Sequence, residues 1–84
     1  MSDFHTYILY SESKDRYYTG STSRLRGRIE QHNNGKTPST KYGIPWEKVW
    51  SKEVASRSEA MKLERKIKKR GAKRFLQDIK QDEN

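Results

Sequence analysis

The chain contains no cysteine. Disulfide staples, thiolate nucleophiles and Cys-ligated zinc are therefore excluded, and so small a domain without disulfides fits a reducing compartment. No apolar run approaches the roughly 20 residues that a membrane-spanning helix needs. Residues 1–6 bring neither the basic flank nor the apolar segment of a signal peptide, so a cytoplasmic protein is expected. Apolar residues are scarce, at 30% of 84, and a domain of this size buries only a little over half of its unfolded surface. A thin core is expected. Repeats, linkers and low-complexity stretches are lacking too, which leaves one domain over residues 1–80 and a polar tail over 81–84.

What is present is aromatic and basic. Aromatic residues make up 11% of the chain, with two tryptophans and five tyrosines; each can cover a large area, which separates this composition from a disordered one. Nineteen basic residues against eleven acidic ones give a formal net charge of +8. Such a field draws in polyanions, so nucleic acid is the expected partner, ahead of an acidic membrane surface.

The order of elements reads β-β-α-β-α-α. Residues 5–11 (HTYILYS) are β-branched and aromatic, a strand pattern, and residues 16–20 (RYYTG) resume it after a polar turn. A helix follows, with Thr22 or Ser23 as N-cap, Leu25, Ile29 and His32 at helical spacing, and Asn33-Asn34-Gly35 as its stop. Gly27 inside that helix marks either a cost in helix stability or a close approach by another group. Residues 35–45 hold both prolines and form a basic loop. A third strand spans 46–54, with Trp46 and either Val49 or Trp50 facing inward according to register. The second helix is capped by Ser56 or Ser58, Ser56 forming a capping box with Glu59, and its stripe is Ala60, Leu63 and Ile67. Gly71 ends it, and a third helix covers about 72–80. The expected fold is a small α/β sandwich: a three-stranded antiparallel or mixed sheet flanked by helices.

One constellation points to chemistry. Arg28 and His32 are four residues apart on one helix face. Tyr18 lies at the end of the strand before that helix, and Tyr7 lies on the strand that pairs with it. Two phenols, a guanidinium and an imidazole beside a basic loop suit a phosphodiester, because Arg binds phosphate bidentately and keeps its charge. Glu64 falls on the stripe of the second helix. It reads either as an i,i+4 partner of Lys68 or as a carboxylate holding Mg²⁺. Taken singly, the tyrosines also read as strand aromatics, and His32 as a helix C-terminal group favoured by the dipole.

These positions resemble the GIY-YIG nuclease family, in particular its small stand-alone members of the UvrC N-terminal or URI type. His5-Thr6-Tyr7 stands where Gly-Ile-Tyr is usual, and Tyr18-Thr19-Gly20 where Tyr-Ile-Gly is usual, with the motif tyrosines 11 residues apart. The stretch YTGSTSRLRGRIEQHNNGK is similar to the family's segment running from the second motif through Arg to His-Asn. Ser39-Thr40-Lys41 before Pro45-Trp46 resembles the loop into the third strand, and EAMKLERKIKK the metal-binding helix, with Glu64 at the metal position. The region AKRFLQDIK lacks the asparagine that many larger members carry after that glutamate.

The resemblance implies an endonuclease that hydrolyses DNA, structured or branched forms included, with one Mg²⁺ or Mn²⁺ and no small-molecule cofactor. Tyr18 would be the general base, with Tyr7 positioning the water or phosphate and sharing that task. Arg28, and with it Lys41, would supply positive charge; His32 would bond the phosphate or the Tyr18 hydroxyl; Glu64 would hold the ion. Lys36, Lys41, Arg24, Lys68, Lys69, Arg70, Lys73 and Arg74 would contact the phosphate backbone, a sequence-independent and salt-sensitive interaction. The alternatives are a nucleic-acid-binding module without catalysis on the same fold and, more distantly, an RNA-associated protein.

Overall fold

The computed structural model describes residues 3–82. Strand β1 (Phe4–Ser11) is central, between β2 (Arg16–Thr22) and β3 (Trp46–Val54), in the order β2-β1-β3 with both pairings antiparallel. Helix α1 (Leu25–Asn33) and a short 3₁₀ helix (Pro38–Gly43) lie between β2 and β3; α2 (Arg57–Arg70) and α3 (Ala72–Asp82) follow. The order is the one the sequence patterns predict, and the sheet is wholly antiparallel. Among the described residues, no helix is long and apolar enough to cross a membrane.

The β1–β2 hairpin turns at residues 12–15, where Asp15 takes the left-handed conformation at φ 50°, one that Asp tolerates better than most residues. Its carboxylate accepts a hydrogen bond from Tyr10 Oη at 2.9 Å. Tyr10 pairs across the strands with Tyr17, ring to ring at 4.8 Å.

Period-two alternation sends β1 side chains to two faces. Tyr7 and Leu9 form one core with Trp46, joined by Tyr18, Leu25, Ile29 and Ile44, so α1 and the 3₁₀ helix cover this face. Thr6 and Ile8 face α2, whose Ala60 and Ile67 are buried. There the Thr6 hydroxyl (2.9 Å) and the Ser21 hydroxyl (3.2 Å) both donate to the Ala60 carbonyl, tying β1 and β2 to α2. On the same side, Phe75 of α3 packs edge-on against Trp50.

The inward residues of β3 follow from a bulge. Ile8 pairs with Trp50 but Leu9 with Lys48, so Val49 is an extra residue without a partner on β1. The slip turns Trp46 to the Tyr7 face and Trp50 to the Ile8 face. Val49, a candidate for the core by alternation, is 41% exposed.

Three local expectations need correction. Neither Thr22 nor Ser23 is the N-cap of α1; Arg24 holds that position without a side-chain bond, because the Thr22 hydroxyl accepts from the Arg24 N–H instead, closing a tight turn. Nothing would lie within 4 Å of a Cβ at Gly27, so no close approach explains that glycine. The third helix runs past the expected 80: Gln81 and Asp82 complete α3, while residues 83–84 lie outside the described ones. By contrast, α2 starts on its capping box, with Ser56 Oγ accepting from Glu59 N and the Glu59 carboxylate accepting from Ala55 N, and α1 stops at Asn34 before Gly35 at φ 75°.

Candidate active site

Tyr7 comes from the central strand, where both neighbours hold the backbone in register, and its phenol is driven sideways across Gly20, its partner on β2. A Cβ at Gly20 would come within 2.6 Å of the Tyr7 oxygen; only glycine leaves the ring its path. Tyr18 stands next to it, ring centroids 6.3 Å apart. From the other side α1 delivers His32, fully buried, with centroids 6.0 Å from Tyr7 and 4.9 Å from Tyr18. Its Nε2 is 3.0 Å from the Tyr7 hydroxyl and its Nδ1 is 2.8 Å from the Thr40 hydroxyl.

His32 was expected to bond a phosphate or the Tyr18 hydroxyl. Its second nitrogen instead meets Tyr7, and Tyr18 touches the imidazole ring to ring, because both imidazole nitrogens are already engaged inside the protein. Arg28, one turn before His32 and half-buried, is held by Gln31 through Nη1 at 3.0 Å. It acts electrostatically on both groups. Burial first, and then Tyr18, pushes the Tyr7 phenol up to about 12, with Arg28 opposing. Burial and then the Arg28 charge push His32 below its usual value. At neutral pH the site therefore holds a protonated phenol beside an imidazole kept neutral.

Glu64 sits on α2, which covers the Thr6 face, and its charge is the weakest of the influences that push the Tyr7 phenol up. Its side chain is only 16% accessible and accepts from Lys68 Nζ at 2.7 Å, so the i,i+4 reading of Glu64 describes its present contact. Among the described residues, no group of three His, Cys, Asp or Glu side chains could hold a metal. One shielded carboxylate suits a single hard cation that completes its shell with waters and phosphate oxygens.

The remaining cations are peripheral. Lys41 is exposed on the 3₁₀ helix, its stem near Gly35, and the cation acting on both Tyr7 and His32 is Arg28 rather than Lys41. Arg24 and Lys36 flank α1 and are exposed. Lys68, Lys69 and Arg70 crowd the last turn of α2, and Lys73 and Arg74 open α3. Of these, Lys68 is engaged by Glu64, and Arg70 by Asp78 through two bonds of 2.8 and 3.0 Å.

Two site-building residues carry no signal in composition or periodicity. Thr40 is fully buried; besides meeting His32, it offers its carbonyl to Trp46 Nε1 at 2.7 Å. Asn33 pins the first residue of β3, accepting from Trp46 N and donating to Trp46 O.

The model of the GIY-YIG catalytic domain matches residues 3–77 of this chain. A UPF0213 protein of Syntrophus aciditrophicus (strain SB) is 38% identical over 84 residues, spanning 98% of this chain and 95% of that protein. UPF0213 protein spr1390 of Streptococcus pneumoniae (strain ATCC BAA-255 / R6) is 35% identical over 86 residues, spanning 98% of this chain and 87% of the relative. No solved structure matches the chain. The match runs from β1 into α3 and takes in every element that contributes to the cluster around Tyr7, so the chain belongs to the GIY-YIG family.

Proposed function

We propose that this protein is a metal-dependent endonuclease that hydrolyses DNA phosphodiester bonds. The observation that carries this reading is the convergence of Tyr7, Tyr18 and His32 on one point, with Arg28 one turn before His32 on the same helix. DNA, structured or branched forms included, is the proposed substrate, brought in by the net charge of +8.

Arg28 would hold the scissile phosphate and face the charge that grows on its oxygens during attack. Tyr18 and Tyr7 would take up the proton of the attacking water. Tyr7 differs from Tyr18 in having an imidazole nitrogen 3.0 Å behind its hydroxyl. With its phenol pushed up to about 12, Tyr7 is a poor base as a standing phenolate. It works instead as a relay, passing its own proton to His32 as the water's proton arrives. Glu64 would hold one Mg²⁺ or Mn²⁺ in exchange for Lys68. When bound, the ion supplies Lewis-acid polarisation of the phosphate and stabilises the leaving oxygen. Lys36, Lys41, Arg24, Lys69, Lys73 and Arg74 would meet the DNA backbone.

The test is incubation of duplex, flapped and branched DNA with Mg²⁺ or Mn²⁺, comparing the wild type with Tyr18→Phe and Glu64→Ala. Each variant is expected to lose cleavage by at least about 100-fold; undiminished cleavage in both would remove the site. The Glu64–Lys68 ion pair at 2.7 Å favours one second reading, a nucleic-acid-binding module in which that carboxylate stays occupied. Salt-dependent binding of every substrate with cleavage of none would select it.

A further inference from the structure

We propose that Thr40 is a positioning residue of this site: its hydroxyl fixes His32 as the Nδ1–H tautomer, which leaves Nε2 bare to accept the proton of Tyr7.

A hydroxyl has one hydrogen. Thr40 Oγ1 lies 3.3 Å from the Thr37 carbonyl, which can only accept, and 2.8 Å from His32 Nδ1. With the Thr40 hydrogen directed to Thr37, Oγ1 accepts from Nδ1–H. A neutral imidazole then has a lone pair at Nε2, and Tyr7 O–H donates to it across 3.0 Å. Three contacts become three hydrogen bonds with every hydrogen used. The opposite tautomer wastes one. Thr40 would have to give its hydrogen to Nδ1 and abandon Thr37, and Nε2–H would donate to the Tyr7 oxygen. The Tyr7 hydrogen would then need another acceptor, and among the described residues His32 is the only group hydrogen-bonded to that hydroxyl with a lone pair to offer. Arg28, the cation beside it, can only donate. Tyr7 is 1% exposed and Thr40 fully buried, so an unmade bond there has a real cost.

The position of Thr40 is itself over-determined. Its N–H donates to the Thr37 carbonyl at 3.1 Å and its carbonyl accepts from the indole of Trp46 at 2.7 Å. That indole packs against Gly43, where any Cβ would collide with it. The hydroxyl is thus presented to His32 by a rigid turn.

The tautomer decides what the hydrolytic step can do. With Nε2 bare, a water O–H bond breaks as its oxygen bonds to phosphorus, and the P–O bond to the leaving sugar oxygen breaks, that oxygen taking a proton from solvent. The water's proton passes to the Tyr7 oxygen, the Tyr7 proton passes to Nε2, and the resulting imidazolium keeps its Nδ1–H on Thr40. With Nε2 protonated, Tyr7 faces a donor and the relay has no terminus.

This inference rests on the hydrolytic reading only for its kinetic arm. Long-range proton–nitrogen NMR spectra of the imidazole identify which ring nitrogen carries hydrogen, whether or not the protein cleaves DNA. The wild type and Thr40→Ser are expected to show Nδ1–H. Thr40→Val, which keeps the shape but cannot accept, is expected to populate Nε2–H. In cleavage assays Thr40→Val should lower kcat by about 10- to 100-fold, as loss of an orienting partner to a functional histidine does elsewhere, with KM within about twofold. Thr40→Ser should recover most of that loss. A wild-type spectrum showing Nε2–H overturns the proposal, as does Thr40→Val with wild-type tautomer and kcat. Should Thr40→Val fail to fold, the wild-type and Thr40→Ser spectra decide alone. Nδ1–H in a protein that cleaves nothing sinks the nuclease reading and leaves the Thr40 assignment standing.

Discussion

The two faces of the central sheet are built on different principles. The face under α2 and α3 is closed by apolar contact: Ile8, Ala60 and Ile67 are fully buried, and Trp50 meets Phe75 edge-on. Two of its hydroxyls, from Thr6 and Ser21, meet on the Ala60 carbonyl. The face under α1 buries Tyr7, His32 and Thr40, and holds them by directed hydrogen bonds as much as by area. Burying polar groups is costly unless each is paired, so the second face gives up some stability for a group of side chains with fixed orientations. One face is held mainly by apolar area, and the other fixes the orientation of a tyrosine, a histidine and a threonine.

The largest expected effect that would break this contrast is on stability. Ile67→Ala should destabilise the domain by about 2–5 kcal/mol, lowering Tm by several degrees per kcal/mol in a domain of this size. Cleavage per folded molecule should stay unchanged, and thermal denaturation paired with active-fraction titration reads both. A matching loss of kcat would mean that the faces are not separable. Next comes Gly20→Ala, whose Cβ would strike the Tyr7 hydroxyl. Cleavage should fall by about 10- to 100-fold, since displacements of this order misalign a reacting group, with a smaller fall in Tm than Ile67→Ala gives. Equal losses of stability would show Tyr7 to be packing alone.

The smallest effect is a pH dependence. His32 has its folded pKa depressed below the ordinary 6.5 by burial and by Arg28. The unfolded chain therefore takes up this proton more readily. The stability tied to a neutral His32 is complete above about pH 6.5 and is lost as pH falls below it. Denaturant midpoints measured from pH 8 down to pH 5 should decline, and His32→Gln should flatten that part of the curve. An identical decline in the variant would assign it to the carboxylates.

The sequence reveals what repeats and what carries chemistry. Strand content, helix spacing, the Ser56–Glu59 cap and the Asn34-Gly35 stop are local signals, and each element forms where its signal lies. Tyr7, Tyr18, Arg28 and His32 are legible because their spacing matches a family segment, and β1–β2 pairing and helix geometry then bring them together. Thr40 and Asn33 stand in segments that resemble the family's, but their contacts are not legible, since a threonine in a polar loop and an asparagine at a helix end have many ordinary reasons to be there. Their roles exist only once the 3₁₀ helix folds back on α1 and β3 begins beneath it. Thr6, a departure from the family's first motif, becomes intelligible in the same way, through its bond to the Ala60 carbonyl. The orientation of β3 is hidden because alternation cannot reveal one unpaired residue.

That unpaired residue sets a limit on how the domain can vary. Trp46 and Trp50 share parity along the chain and would point the same way from a regular strand. Val49 alone lets nine residues anchor one indole on the Tyr7 face and the other on the Ile8 face. Forcing Val49 into the ladder would put both indoles on one face, whereas deleting it would leave a regular ladder with Trp46 opposite Ser11 and Trp50 opposite Ile8 as now, so this strand tolerates loss of Val49 better than its pairing with β1.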